Sequence, residues 1–372
     1  MVYTSGNEQV STQMINQFNS LAGKKIGLCY FSDNWYKGIT FPLPQCQQIR
    51  AAGAVPFIRM QNWKKDSKNL SDMFITHANI TAGKADAALT TYAQAAKNFA
   101  IPLLIEYGVE INGNWFPWNQ EGPNAFVSAY RHIIDIFRCV GAHNVKFALH
   151  LDLSENNIAN GGGRKWYPGD QYIDCIGVSA YGEPKNGGLG FGCAGSLKND
   201  GYNRLASISA TKPLGIFEWG FGNAKDTADT LAAIPTLYPR IKIIQIWHEH
   251  VIGDKSEPYD RRINANPQNL AAYRNGIANP VYTNIYSCPG SPVRMNPLTI
   301  PVAKAHLTPV APKDTKHTPA NAAVAAGTTA PQGDTAQQSS SPIIHGAMVD
   351  ANGHETASTA PINSFKTNMC AK

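Results

Sequence analysis

No stretch of the sequence approaches the roughly 18 to 20 uninterrupted apolar residues that span a membrane, so no membrane partner is expected. The seven cysteines, Cys29, Cys46, Cys139, Cys175, Cys193, Cys288 and Cys370, form no C-x-x-C pair and no Cys/His spacing of a zinc site. A structural metal is therefore not expected, while the spacing leaves disulfide pairing open. Charge of one sign is not concentrated anywhere. The 32 basic and 26 acidic residues are scattered in ones and twos, so the net charge of +6 makes no patch, and nucleic acid is not an expected partner. Gly161-Gly162-Gly163 and Gly187-Gly188 lack the strand–turn–helix setting of a phosphate loop, and no cofactor is expected.

What is present divides in two. From about Ser291 onward, segments such as Thr318 to Pro331 and Gln337 to Pro342 are poor in aromatics and show neither a helical nor a strand period. Such a segment cannot bury enough apolar surface to offset its chain entropy, so residues 291–372 read as a low-complexity, disordered tail. Residues 1–290 alternate regularly instead. Strand-like apolar runs fall at Lys25 to Phe31, Ala54 to Met60, Pro102 to Glu110, Val145 to Leu151, Tyr172 to Ala180, Pro213 to Trp219 and Ile241 to Trp247. Helix-length amphipathic segments such as Ala85 to Phe99 and Asn124 to Val140 lie between them. Met1 to Thr4 reads as an eighth strand stub, followed by Met14, Phe18 and Leu21 at helical spacing up to Gly23. Eight β-then-α units with buried strands imply an α/β fold, a (β/α)8 TIM barrel. With a strand at Met1, no secretory leader is visible in this chain.

In such barrels the reactive groups sit at the C-terminal ends of the strands. Two of these ends carry carboxylates among aromatics and glycines: Glu110, followed by Asn112, Gly113, Trp115 and Trp118, and Glu218, followed by Trp219 and Gly220. Glycosidic bond cleavage needs such a pair, one acid to protonate the leaving oxygen and one carboxylate to meet the oxocarbenium ion; at about 5 Å the carboxylate attacks directly and configuration is retained. Indole faces suit pyranose rings, and Trp35, Trp63, Trp115, Trp118, Trp219 and Trp247 all fall near strand ends. His248 and His250 face one way without an obvious third ligand, so a polar rim is expected there and no metal.

The segment Glu110-Ile111-Asn112-Gly113-Asn114-Trp115-Phe116-Pro117-Trp118 resembles the acid/base signature of glycoside hydrolase family 26, the β-mannanases and their relatives. Ile80 to Asp86, Tyr130 to Arg138, Tyr167 to Tyr181, Glu218-Trp219-Gly220 and Asp260 to Asn264 resemble further elements of that family, in the same order. The resemblance implies a retaining, endo-acting hydrolase of a β-linked polysaccharide, β-1,4-mannan first, with Glu110 as general acid/base and Glu218 as nucleophile. It implies Tyr181 near the nucleophile and Trp115 and Trp247 lining the cleft; Trp118, Asn112, Trp219 and Glu106, at or beside the same strand ends, are further substrate-binding candidates. It also implies a monomer that acts outside the cell. Mixed-linkage β-glucan, β-xylan, a bacterial exopolysaccharide, or a non-catalytic polysaccharide-binding barrel are the alternatives. Two positions depart from the family pattern: Glu106 stands where Arg is usual and Val109 where His is usual. Strand alternation turns Glu106 and Glu110 to one face, and a buried Glu106 calls for a cation, with Arg59 the candidate.

Overall fold

The computed structural model describes residues 2–3, 10–64, 69–153, 162–180, 201–220, 223–251 and 259–284. The chain divides into two units, Met1–Ile300 with Thr367–Lys372, and Pro301–Lys366. Every described residue belongs to the first, and the expected disordered tail lies outside the described residues.

The strands are β1 (Val2–Tyr3), β2 (Leu28–Asn34), β3 (Val55–Gln61), β4 (Leu103–Tyr107), β5 (Val145–Asp152), β6 (Cys175–Ser179), β7 (Leu214–Glu218), β8 (Ile241–Ile244) and β9 (Ile246–Trp247). They pair in parallel in the order β8-β7-β6-β5-β4-β3-β2-β1-β9. Only Gln245 separates β8 from β9, so the two are halves of one strand. The first half pairs with β7 and the second with β1, which closes an eight-stranded barrel. This is the (β/α)8 fold expected from the alternation. Beyond it, β10 (His250–Val251) and β11 (Tyr259–Asp260) form a separate antiparallel ribbon.

Helices cover the outside for local reasons. In α1 (Thr12–Ala22) the Ser11 hydroxyl caps the first turn by accepting from Met14 N, and Gly23 ends the helix in the left-handed region at φ 73°. The helix buries Ile15, Phe18 and Ala22 and leaves Met14 exposed, a small rotation of the face expected from Met14, Phe18 and Leu21. The helix of residues Gly122–Val140 buries Phe126, Ala129, Tyr130, Ile133, Ile134 and Phe137, a stripe at helical spacing against the sheet. No described helix is long and apolar enough to cross a membrane.

Strands buried on both faces build two cores. A larger one lies between sheet and helices. A smaller one fills the barrel with Leu28, Tyr30, Val55, Phe57, Leu104, Ala148, Cys175, Phe217 and Ile243. Phe217 fits because two neighbours lack side chains: a Cβ on Gly177 would lie 2.2 Å from its ring, and one on Gly215 2.4 Å. In a packed interior the ring has nowhere to move. Gly177→Ala is expected to cost about 1–3 kcal/mol of stability, measured by urea denaturation.

Cys29, Cys46 and Cys175 are buried and not in disulfides, and burial pushes Cys29 up to about 12. Cys139 is disulfide-bonded.

Candidate active site

Side chains along a strand alternate between its faces, so the interior positions can be counted upward from the apolar core. Above Leu28, Val55, Leu104 and Ala148, the same alternation turns Tyr30, Arg59, Glu106 and His150 inward; Ser179 joins them from β6. All five are buried. Adjacent strands hold them level, with Arg59 opposite both Ser32 and Glu106 in the ladder.

Glu218 reaches this layer through an irregularity. Gly177 pairs with Gly215 and Val178 with Ile216, but Ser179 pairs with Glu218, so β7 carries one extra residue, Phe217, at a β-bulge. Strict alternation from Phe217 would send Glu218 outward. The bulge turns it in, where it forms an ion pair with Arg59 Nη2.

The layer is a connected polar network. Arg59 Nε donates to Glu106 Oε1 at 3.2 Å and to the Tyr30 hydroxyl, and its guanidinium lies 4.3 Å from the centre of the Tyr30 ring. Tyr30 donates its hydroxyl proton to Glu106. His150 Nδ1 lies 3.1 Å from Glu106 Oε2, and its Nε2 lies 3.0 Å from Ser179 Oγ. The expected Glu106–Arg59 pair is therefore present. Burial raises the Tyr30 phenol well above its ordinary range, which keeps it a neutral donor.

Glu110 is not a strand residue, which corrects the expected strand Pro102 to Glu110. The strand stops at Tyr107 because the chain turns left-handed twice, at Gly108 (φ 71°) and at Glu110 itself (φ 48°). A positive φ on a non-glycine residue costs free energy that the surroundings must supply. Here they do so abundantly. Gly108 N donates to Met60 O at 2.9 Å, Ile111 N to His150 O at 3.2 Å, and Asn119 Nδ2 to Glu110 O at 3.1 Å. Asn112 and Asp152 exchange two hydrogen bonds, Nδ2 to O at 3.0 Å and N to Oδ1 at 2.7 Å, which tie the loop to the end of β5.

The Glu110 carboxyl accepts from Trp115 Nε1 at 2.6 Å. Its proton affinity is raised above the ordinary 4.5, first by burial and then by the neighbouring Asp152. Hydrogen bonds from Ser179 and Trp115 and the nearby His150 pull the other way and do not prevail. Trp115 folds back over Gly113, whose missing side chain makes room for the indole: a Cβ there would lie 2.6 Å from the ring.

The remaining aromatics separate into two groups. Trp115 and Trp247 are half-buried; Trp247 packs on the barrel core and donates to Glu249 Oε2 at 2.9 Å. Trp118 and Trp219, expected in the cleft, are fully buried and offer no ring face to a ligand. Trp118 stacks on Phe116 at 4.5 Å and donates to Val109 O at 2.9 Å, so it holds the Glu110 loop. An aromatic band runs outward from there, through Trp63, expected near a strand end, to exposed Tyr36, which the sequence did not single out and whose ring stacks on Trp63 at 6.1 Å. Tyr181 lies outside the described residues.

No group of three or more potential metal-binding side chains occurs among the described residues. His248 accepts from Ile263 N at 3.1 Å and packs edge-on against Phe18; burial lowers its proton affinity to about 4. It is a packing residue of the barrel rim.

The site therefore joins two carboxylates in opposite environments. Glu218 is buried against a guanidinium, which favours the ionised form, while Glu110 is desolvated beside another acid, which favours the protonated form.

Residues 63–199 match the family model described as glycosyl hydrolase family 26. Endoglucanase H of Acetivibrio thermocellus is 29% identical over 284 residues, covering 72% of this chain and 29% of that protein. Mannan endo-1,4-beta-mannosidase A and B of Caldalkalibacillus mannanilyticus is 26% identical over 179 residues, covering 45% of this chain and 31% of that one. The chain thus spans less than a third of the length of either relative. Among solved structures, the catalytic domain of a Bacillus endo-β-1,4-mannanase superposes with a TM-score of 0.54 at 15% identity, covering 76% of this chain and 85% of that one. A family 26 β-mannanase of Bacteroides ovatus gives 0.53 at 15% identity, covering 78% and 88%. At these identities the likeness concerns the fold.

Proposed function

We propose that the chain is a member of glycosyl hydrolase family 26, whose model residues 63–199 match, and that it is a retaining, endo-acting hydrolase of a β-linked polysaccharide, with β-1,4-mannan the first substrate. The observation that carries this reading is the contrast between Glu110 and Glu218: one carboxyl with raised proton affinity, one held by a buried guanidinium. A double displacement follows from it. A Glu218 oxygen attacks the anomeric carbon as the glycosidic C–O bond breaks, and the Glu110 proton goes to the leaving oxygen. Glu110 then takes a proton from water, the water oxygen attacks the same carbon, and the Glu218 ester is released.

In this reading Trp115 and Trp247 present half-buried ring faces to the sugar, and Tyr181 hydrogen-bonds near the nucleophile. Asn112, Trp118 and Trp219 act from behind by fixing the loops. The reaction calls for no cofactor, and the chain works as a monomer. A polysaccharide does not cross a membrane unaided, and the Cys139 disulfide fits an oxidising compartment, so the site of action is extracellular.

A glucan is the second reading. It is favoured by Endoglucanase H, the relative whose alignment covers 72% of this chain. The deciding experiment is a panel of β-mannan, mixed-linkage β-glucan, β-xylan and bacterial exopolysaccharide, with product sizes and anomeric configuration followed by NMR. Early oligosaccharides of retained β configuration from mannan or glucan are expected. Inverted products, or binding without turnover across the panel and across pH, overturn the hydrolase reading in favour of an inverting enzyme or a binding barrel.

The pH profile supplies an independent check. With Glu110 as acid, the descending limb of kcat/KM lies above the ordinary carboxylate value of 4.5. Trp115 donates to the ionised form and so lowers that value. Trp115→Phe removes the donor, and the descending limb is expected to move to higher pH. A limb that stays in place or moves down removes Glu110 from the acid role.

A further inference from the structure

The double displacement makes no use of Glu106, although that side chain is buried, ionisable and close to the nucleophile. It is 0% exposed, and Tyr30, Arg59 and His150 all point donors or ring nitrogens at its carboxylate. No sugar can reach it, so the substrate-binding role expected from sequence does not suit it. Resting on the reading of Glu218 as nucleophile, we propose that Glu106 is a positioning residue: it seats Arg59 against Glu218 and keeps that guanidinium paired while Glu218 is esterified.

The geometry assigns the two ends of one guanidinium to two carboxylates. Arg59 Nε lies 3.2 Å from Glu106, and Nη2 is ion-paired with Glu218. The planar fork makes these contacts interdependent, because fixing Nε aims Nη2. Glu106 is itself fixed from two sides, by Tyr30 on β2 and His150 on β5, while the Tyr30 ring lies beside the guanidinium at 4.3 Å.

Charge bookkeeping over the cycle gives the second argument. In the free enzyme, Arg59 is shared by two anions. When the Glu218 oxygen bonds to the anomeric carbon and the leaving oxygen departs with the Glu110 proton, Glu218 becomes a neutral ester. Arg59, 3% exposed, then has the Glu106 carboxylate 3.2 Å from its Nε to balance its buried charge. Glu106 takes no part in the bond changes and keeps its charge. As a like charge near Glu218 it also holds the nucleophile's proton affinity up against the pull of Arg59. Among the described residues, titratable groups around this layer include Tyr30, Tyr130, His150, Glu110 and Asp152.

The test compares Glu106→Gln, which removes the charge at constant shape, with Glu106→Asp, which keeps the charge but shortens its reach. In Glu106→Gln, kcat/KM is expected to fall about 10- to 100-fold with KM little changed. The ascending limb, set by Glu218, is expected to move to lower pH by roughly one unit. In Glu106→Asp, kcat falls and that limb stays. A 13C NMR titration of the glutamate carboxyls, with Glu218 assigned by its loss in Glu218→Gln, reads the same lowering without turnover. An unmoved Glu218 titration in Glu106→Gln overturns the proposal, as does a change confined to KM. If Glu106→Gln does not fold, an undiminished kcat in Glu106→Asp overturns it. Failure of the wild type on every polysaccharide strikes the hydrolase reading alone, since the NMR titration still decides the placement of charge.

Discussion

Glu218→Ala is expected to abolish reducing-sugar release from every polysaccharide the wild type cleaves, a loss of roughly 10^5-fold. The reason is specific to covalent catalysis: without the carboxylate no glycosyl-enzyme forms, and the remaining groups cannot replace it. The protein itself should stay folded, because Arg59 retains Glu106 as a partner 3.2 Å away. Activity and stability therefore part company in this variant. Added azide, small enough to occupy the space of the missing carboxylate, should restore turnover and yield a glycosyl azide of inverted configuration. Glu110→Ala behaves differently: the loss is smaller, about 10^2- to 10^4-fold, and is least for substrates whose leaving groups need no proton. Retained hydrolysis in Glu218→Ala, with intact folding, would remove the nucleophile assignment.

Arg59→Met is expected to carry the largest stability effect. It takes the shared cation away from two buried carboxylates at once, Glu106 at 0% and Glu218 at 3% exposure. Removing one partner of a buried ion pair costs about 3–5 kcal/mol. For a barrel of this size that corresponds to a fall in Tm of roughly 10 °C, measured by calorimetry. The double variant Arg59→Met/Glu106→Gln removes one of the two buried carboxylate charges and should recover part of the loss. If Arg59→Met melts with the wild type, the interior ion network does not hold the barrel. Recovery that is absent from the double variant places the cost in packing of the guanidinium stem rather than in charge.

The fold was legible because parallel strands buried on both faces leave short continuous apolar runs. Those runs survive at Val55–Gln61 and Leu214–Glu218 almost as written, and even the broken last strand shows as one run from Ile241 to Trp247. What alternation cannot convey is the sign of φ. Nothing in Glu110 as a residue type announces a left-handed backbone; only Gly108, two positions earlier, hints at the turn. The bulge at Phe217 is equally silent, because the extra residue is seen only against β6. Glu106 called for a cation on charge grounds, and Arg59 supplies it. Tyr30 and Ser179 went unnoticed, although counting by twos from Leu28 and Cys175 reaches both. Trp118 and Trp219 resisted reading for another reason: proximity to a strand end does not say which side of a loop an indole takes.

Gly177, Gly215 and Phe217 belong to three separate points in the chain yet share one volume on the barrel axis. They therefore form a single unit of mutational change. A larger residue at either glycine is tolerable only together with a smaller one at 217, so Gly177→Ala and Phe217→Leu should each weaken the protein alone and compensate in combination. Related sequences are expected to exchange these positions as a set, and a library that randomises them one at a time will record three immovable residues where the physical constraint is one shared sum.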